Sequence, residues 1–147
     1  MAAIRKAEVT WTGSLLEGSG SIDYVTSGAF SRFPVTWASR TEAADGRTSP
    51  EELLASAHAA CYSMAFSAGL GRNGTPPTEL KVTATVTFDK VEAGWKVVSS
   101  ALTVRGTVPG IDAATFSRLA EAAKDGCPIS GALKGNVELS VEASLEG

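Results

Sequence analysis

Residues 49–61 read SPEELLASAHAAC, and this stretch decides the fold. Ser49 has the side chain of a helix N-cap, Pro50 suits the first helical position, and Glu52 completes a Ser-x-x-Glu capping box. The pattern predicts a helix that begins here and runs to about Gly71. Ala, Leu, Met and Phe residues occupy nearly every face of it, which predicts a fully buried helix. Its small side chains would let another helix approach closely.

The chain on either side of this helix alternates polar and apolar residues in the manner of β-strands. The segments predicted as strands are residues 7–11, 21–26, 30–37, 80–88, 95–107 and 137–145, and the fourth and fifth form a hairpin. Asp112 can cap a further helix through Lys124, and Cys127-Pro128 begins a short one that ends near Gly135. The order β-β-β-α-β-β-α-α-β predicts an α+β fold, and the length predicts a single domain over residues 1–147.

Composition excludes several classes of partner. The chain has 147 residues, 44% of them hydrophobic and 20% charged, with a net charge of −3. This charge offers no basic surface to nucleic acid or anionic lipid, and the first residues lack the apolar core of a signal peptide. No stretch approaches the ~18 uncharged apolar residues of a membrane span. We therefore expect a cytoplasmic protein with no nucleic-acid partner and no membrane partner.

Cys61 and Cys127 are the two cysteines of the chain. Static disulfides are disfavoured in the cytoplasm, so such a pair points to catalysis, redox sensing or metal binding, although free Cys is also a common buried hydrophobe. Cys61 lies about eleven residues into its helix, where the helix dipole has faded, and would need an outside cation to become a thiolate. Cys127 stands at a predicted N-cap, and local physics alone makes it the more acidic thiol.

His58 is the only histidine and lies three residues before Cys61, on the same side of the helix. A Cys–His pair for acyl transfer is conceivable, but side chains on one helix rarely align for proton transfer without a third group, so core packing is the favoured role. A metal site would have to combine His58 with both cysteines and without any usual zinc spacing. The sequence therefore predicts no metal.

Glu51 and Arg40 are the charged residues of interest. Glu51 stands in the first turn of the helix, where negative charge favours the dipole and needs no further explanation. It lies ten residues before Cys61, or ~15 Å along a straight helix axis. If both serve one site, an intervening cation bridges them or a partner helix brings its own Glu51. Arg40 precedes a polar loop over residues 41–48, close to the end of the third predicted strand, where a surface charge is the ordinary role of Arg.

Five segments taken together are specific. They read SR at residues 39–40, SPEEL at 49–53, AHAACYSM at 57–64, VPGID at 108–112 and AKDGCP at 123–128. In this order they resemble the OsmC/Ohr family of organic hydroperoxide peroxidases, and most closely its OsmC branch. The resemblance extends from about Trp11 to the C-terminus. It implies antiparallel sheets around a long buried central helix, in an intertwined homodimer with two sites at the subunit interface.

The resemblance also implies a role for each candidate residue. Cys61 resembles the peroxidatic thiol and Cys127 the resolving thiol. Arg40 resembles the arginine that supports the thiolate, and Glu51 the carboxylate that orients that arginine. The family assignment thus overrides the local argument that Cys127 is the more reactive thiol, and it agrees with the need for an outside cation near Cys61.

The implied reaction reduces organic hydroperoxides, and hydrogen peroxide less well, to alcohols. Cys61 would become a sulfenic acid and then a Cys61–Cys127 disulfide, which an external dithiol or lipoyl-type reductant would reduce without any cofactor. Met64, Phe66 and Leu70 could line the route of the substrate or form plain core. Two alternatives use the same residues: a thiol redox sensor without turnover, and a structural or binding protein with packed cysteines.

Overall fold

The computed structural model describes all residues from 1 to 147. Its elements are β1 Ala7–Thr12, β2 Ser19–Val25, β3 Ser31–Val35, α1 Trp37–Thr41, α2 Pro50–Arg72, β4 Glu79–Val91, β5 Gly94–Thr107, α3 Ala113–Gly126, α4 Pro128–Leu133 and β6 Glu138–Glu146. This α+β architecture, with two small sheets and a long helix, confirms the predicted fold class. The chain divides into two compact units, residues 1–53 and 54–147. A single domain over residues 1–147 stays a prediction.

The first unit carries an antiparallel sheet in the order β1-β2-β3. Ile22 is the apolar side chain that it buries, and every residue of β1 is exposed. The predicted third strand is too long, because the chain leaves β3 at Val35 and enters α1. The Thr36 hydroxyl caps α1 by accepting a hydrogen bond from the backbone N–H of Ser39 at 3.0 Å. In return, the Ser39 hydroxyl accepts a hydrogen bond from the backbone N–H of Thr36. Local capping thus overrides the strand propensity of this run.

The second unit carries a sheet in the order β4-β5-β6. The β4–β5 hairpin is antiparallel as predicted, whereas β6 pairs with β5 in parallel, so this sheet is mixed rather than wholly antiparallel. Helix α3 packs against β6 and α4. The core of this unit is one cluster of buried residues, formed by Tyr62, Phe66, Leu70, Leu102, Val104, Val108, Phe116, Ala120, Ala123 and Cys127.

Helix α2 begins as the sequence predicts, since the Ser49 hydroxyl accepts a hydrogen bond from the backbone N–H of Glu52 at 3.1 Å. Its burial differs from the prediction. In the second unit the buried positions recur every fourth residue, as one stripe of His58, Tyr62, Phe66 and Leu70. The other face, with Ser56, Ala57, Ala60 and Met64, is exposed. Full burial is therefore wrong for a single chain, because a helix that is apolar all round needs cover on more than one side.

Helix α2 is also long and apolar enough to span a membrane by length and composition alone. This corrects the expectation that no stretch comes close to that limit. One such helix is weak evidence for a membrane span, because the core helices of soluble proteins share the same length and composition.

Candidate active site

The two thiols lie together in the second unit. Cys61 is half-buried on α2, and Cys127 is buried at the junction where α3 ends and α4 begins. Cys127 belongs to the apolar core cluster, Cys61 packs against that cluster, and the two side chains share a hydrogen bond. Residues 66 positions apart in the sequence are thus in contact. Both thiols are free in this structure.

The surroundings of the thiols shift their pKa values in opposite directions. Burial raises the pKa of Cys61, and the hydrogen bond with Cys127 raises it further. Burial also opposes ionisation of Cys127, but the backbone N–H of Ser130, the side chains of Cys61 and Ser130 and the backbone of Ile129 outweigh it, so that the pKa of Cys127 is lowered. In the chain by itself Cys127 is the more acidic thiol, as the local argument from sequence predicts.

Arg40 and Glu51 form an ion pair in the first unit. The guanidinium Nε of Arg40 lies 3.0 and 3.1 Å from the two carboxylate oxygens of Glu51, and Nη2 lies 2.7 Å from Oε1. The Glu51 side chain is 10% exposed and the Arg40 side chain 29% exposed. Such paired contacts fix the plane of a guanidinium as well as its position. The carboxylate of Glu51 thus holds the Arg40 guanidinium in one orientation.

The setting of Arg40 differs from the prediction. It belongs to the last turn of α1 rather than to the end of a strand. Its guanidinium lies 5.8 Å from the centre of the Trp37 ring, within the range of a cation–π contact. A cavity of about 360 Å³ opens beside it, lined by Trp11, Leu15, Val35, Thr36, Trp37, Arg40 and Pro50. The Arg40 guanidinium therefore lies at the edge of a mostly apolar cavity.

His58 is fully buried and has a hydrogen-bond partner at each ring nitrogen. Nδ1 lies 2.6 Å from the hydroxyl oxygen of Ser100 on β5, and Nε2 lies 2.8 Å from that of Ser130 on α4. Burial lowers the pKa of His58, which favours the neutral ring. His58 is thus a core residue, as predicted, and its hydrogen-bond partners are the two serines rather than Cys61. No group of three or more His, Cys, Asp or Glu side chains lies together in a way that could hold a metal ion.

Sequence reasoning missed Ser100 and Ser130. The available signals are local and weak. Ser130 lies three residues after Cys127, in the first turn of α4, where backbone N–H groups lack helical partners. Ser100 is completely buried in a strand whose neighbouring inward positions are apolar. Neither signal identifies His58 as the common partner, because the three residues come from three separate elements.

The structure brings together two pairs of the four predicted site residues. Arg40 meets Glu51 within residues 1–53, and Cys61 meets Cys127 within residues 54–147. The catalytic roles of all four remain predictions. Phe66 and Leu70 are fully buried members of the core cluster, so they do not line an open route for a substrate. Met64 is 71% exposed.

Comparison with known proteins places the chain in a family. The family model for OsmC-like proteins matches residues 43–142. Peroxiredoxin OsmC of Escherichia coli (strain K12) is 41% identical over 142 residues, which are 97% of this chain and 98% of that protein. An organic hydroperoxide resistance protein of Xanthomonas axonopodis pv. citri is 30% identical over 64% of this chain and 65% of its own length.

Solved structures agree with this sequence relationship. The organic hydroperoxide resistance protein OhrB of Bacillus subtilis superposes with a TM-score of 0.73 at 26% identity, over 95% of this chain and 98% of its own. An organic hydroperoxide resistance protein from Elizabethkingia anophelis gives a TM-score of 0.72 at 25% identity, over 99% of this chain and 100% of its own. The chain belongs to the OsmC family, and its fold is the one that OsmC and Ohr proteins share.

Proposed function

We propose that this chain is a cysteine-based peroxidase that reduces organic hydroperoxides to alcohols, and hydrogen peroxide less well. The observation that carries the proposal is the contact between Cys61 and Cys127 in a chain of the OsmC family. The names of its relatives, peroxiredoxin and organic hydroperoxide resistance protein, support the peroxidase class. Two free thiols in contact can pass through a sulfenic acid to a disulfide and back.

In the first step, the thiolate of Cys61 attacks the terminal oxygen of ROOH. The O–O bond breaks, and the alkoxide leaves with the electron pair and takes a proton to become ROH. Cys61 keeps the OH group as a sulfenic acid and is thereby oxidised by two electrons. Because burial raises the pKa of Cys61, this step needs a cation from outside its own neighbourhood.

In the second step, the thiolate of Cys127 attacks the sulfur of the Cys61 sulfenic acid. The S–O bond breaks, hydroxide leaves and takes a proton to become water, and the Cys61–Cys127 disulfide forms. The contact between the two side chains means that this step needs little movement. An external dithiol or lipoyl-type reductant then returns two electrons and two protons by thiol–disulfide exchange. This cycle uses no cofactor and no metal.

The cavity beside Arg40 supports an organic substrate. Its walls include the rings of Trp11 and Trp37 and the aliphatic side chains of Leu15 and Val35. An alkyl or aryl group placed there would leave water, which is favourable in proportion to its apolar area. Hydrogen peroxide has no such group. We therefore propose that the cavity holds the R group of ROOH while Arg40 serves the reacting thiol.

We further propose that the working form is a homodimer with sites shared between copies. Glu51 and Cys61 lie about 15 Å apart along one helix axis, by their spacing of ten residues. Arg40 is held by Glu51. A second copy would bring its own Arg40–Glu51 pair to Cys61 of the first. The exposed apolar face of α2, with Met64 71% exposed, is the kind of surface that obligate dimers cover.

Mixed dimers test the shared site. Cys61→Ser and Arg40→Met chains are each expected to be inactive or nearly so, and we expect activity to return when they are co-expressed. In a mixed dimer the intact Cys61 of one copy would meet the intact Arg40 of the other. Random pairing makes half of the dimers mixed, with one complete site of two, so about a quarter of wild-type activity should return. No recovery in verified mixed dimers would contradict the shared site.

The activity itself is tested by steady-state kinetics. Hydrogen peroxide, tert-butyl, cumene and fatty-acid hydroperoxides are each assayed with dihydrolipoamide, thioredoxin and glutathione as reductants. We expect the highest kcat/KM with an organic hydroperoxide and a dithiol. Oxidation of Cys61 that stops after one equivalent with every reductant would favour the redox sensor. Both thiols inert to every hydroperoxide would favour a structural or binding protein.

A further inference from the structure

A line of buried polar groups runs from β5 to the resolving thiol. Ser100, His58 and Ser130 are 0%, 0% and 2% exposed, and the two hydrogen bonds that join them measure 2.6 and 2.8 Å. Ser130 lies three residues after Cys127, in the first turn of α4, and its hydroxyl and backbone N–H act on the Cys127 thiol to lower its pKa. Buried polar groups are costly to place in an apolar core, and one that touches a reactive thiol is a candidate for a role in its chemistry.

The direction of these hydrogen bonds follows from the thiolate form of Cys127. A thiolate can only accept, so the Ser130 hydroxyl donates to it. The Ser130 oxygen must then accept from His58, which places the imidazole proton on Nε2. Nδ1 is left as an acceptor for the hydroxyl of Ser100. Both hydroxyl protons and both ring nitrogens are thereby used in one consistent order, and no buried polar side-chain atom lacks a partner.

We propose that Ser100, His58 and Ser130 act as one unit that holds the Ser130 hydroxyl in place to stabilise the Cys127 thiolate during disulfide formation. His58 is a positioning residue in this unit, because it reaches the sulfur only through Ser130. The inference rests on the proposed peroxidase function and deepens its second step. It differs from a Cys–His pair, since the neutral ring takes no proton and has no bond to Cys61.

The proton balance of the step agrees with a neutral His58. Cys127 loses its proton when it becomes a thiolate, and the hydroxide that leaves Cys61 takes up one proton to form water. The hydrogen bond between the thiols gives that transfer a direct path. Burial keeps the pKa of His58 low, so the ring is a poor acceptor for the same proton. Its contribution is a fixed donor at Nε2.

Other titratable groups lie around this unit, and the variants of Ser100, His58 and Ser130 do not change them. They are Cys61 and Tyr62 on α2, Lys124 and Asp125 on α3, and Lys134 after α4. Burial raises the pKa of Tyr62, which therefore remains protonated at neutral pH. Lys124 is paired with Glu121 at 2.9 Å. Variants of the three uncharged or neutral residues leave all of these groups in place.

The first experiment titrates Cys127 without peroxide. In a Cys61→Ser background, thiolate absorbance is followed against pH and corrected with the variant that lacks both cysteines. Ser130→Ala and His58→Asn are each expected to shift the titration upward by about one pH unit, the size of a hydrogen bond to a charged group. His58→Gln should restore it, because the longer amide reaches the place of Nε2 whereas the Asn amide reaches only that of Nδ1. The proposal would be overturned if the Cys127 titration were unshifted in Ser130→Ala. It would also be overturned if His58→Gln shifted that titration as far as His58→Asn does.

The second experiment measures the resolving step in chains that keep both cysteines. After one equivalent of cumene hydroperoxide, quenched samples are analysed by mass for the Cys61 sulfenic acid, trapped with dimedone, and for the disulfide. The ratio of the resolving rate to the oxidation rate should fall about tenfold in Ser130→Ala and in His58→Asn. The double variant should be no slower than Ser130→Ala alone, because the residues act as one unit. A ratio within about twofold of wild type in Ser130→Ala would contradict the inference.

The two experiments separate the inference from the function on which it rests. Failure of the wild-type protein to form any sulfenic acid would refute the peroxidase proposal, while the titration would still decide whether the unit stabilises the thiolate. Thermal unfolding identifies a variant that does not fold. Ser130→Ala is the smallest change and tests the proposal even if the His58 variants are lost.

Discussion

In residues 1–53, Ile22 is the buried apolar side chain, whereas residues 54–147 bury a continuous cluster that includes Tyr62, Phe66 and Phe116. The first unit leaves Val9 and Leu16 56% and 77% exposed. In the proposed homodimer, exposed apolar side chains of this kind are candidates for cover by the second copy. The second unit needs no such cover for its own cluster, which is close-packed around fully buried aromatic rings.

The two units also differ in the surroundings of their candidate site residues. Arg40 and Glu51 meet as a part-buried ion pair, and Cys61 and Cys127 meet as two thiols at the edge of an apolar core. A core that buries a thiol raises its pKa, as it does for Cys61. In the proposed peroxidase, the thiols belong to the second unit and the charge that activates them belongs to the first. On the proposed mechanism, residues 54–147 decide whether peroxide is reduced, and residues 1–53 decide how fast it is reduced and which peroxide is preferred.

The largest effect is expected from the thiols themselves. Cys61→Ser should remove turnover completely, because a serine hydroxyl is not ionised at neutral pH and cannot replace the thiolate. Cys127→Ser should still reduce one equivalent of peroxide and leave a Cys61 sulfenic acid that dimedone traps and that over-oxidises readily. Mass analysis after one equivalent of hydroperoxide measures both results.

The opposite assignment has a distinct outcome. If Cys127→Ser abolished the first turnover and Cys61→Ser did not, Cys127 would be the peroxidatic thiol. That result would agree with the lowered pKa of Cys127 and would reverse the roles that the family resemblance implies.

A smaller but still large effect is expected from the ion pair of the first unit. Arg40→Met should slow the oxidation of Cys61 by about ten- to a thousand-fold, the range of other positioned electrostatic groups. The rate should also rise at a higher pH than in wild type, because loss of a nearby cation raises the pKa of a thiol. Glu51→Gln should act in the same direction but more mildly. The double variant should be little worse than Arg40→Met, and stopped-flow oxidation against pH measures all three.

Arg47 provides the matched control for Arg40. It pairs with Asp45 at 3.2 Å, and both side chains are largely exposed, so Arg47→Met is expected to change little. Unchanged pH profiles in Arg40→Met and Glu51→Gln, together with a shifted profile in Arg47→Met, would move the activating role to Arg47. If the pH profile were instead unchanged in Arg40→Met and Glu51→Gln but shifted in Arg32→Met, the activating role would belong to Arg32.

Much of the fold is predictable because its signals are local. The capping run at Ser49 places the start of α2, Asp112 caps α3 by accepting a hydrogen bond from the backbone N–H of Thr115 at 2.8 Å, and alternation places all six strands. Helix α1 is missed because Val35, Thr36 and Trp37 favour a strand, and only the reciprocal capping contact reveals the turn. The parallel pairing of β6 is missed because alternation carries no information on strand direction.

The candidate site is predictable only in part for a related reason. Residue types and order suggest Cys61, Cys127, Arg40 and Glu51 through the family resemblance, and the structure brings them together as two pairs, while their roles stay predictions. The Ser100–His58–Ser130 unit depends on contacts among a strand and two helices, and no local run contains them. The burial of α2 is overestimated because an apolar composition alone does not show which faces of a helix its own chain covers.

The smallest effect is expected from the apolar cavity beside Arg40. Trp11 forms part of its wall and is 41% exposed, so Trp11→Ala enlarges the cavity without removing a core residue. We expect kcat/KM for cumene hydroperoxide to fall about tenfold, which is typical when part of an apolar pocket is lost, while the value for hydrogen peroxide stays within about twofold. Hydrogen peroxide is the internal control, since it has no R group to bind. An equal loss for both substrates would mean that Trp11 supports Arg40 or the fold rather than selectivity. If kcat/KM fell for neither substrate, the R group would bind elsewhere. Residues 1–53 would then contribute to activation of the thiol but not to the choice of peroxide.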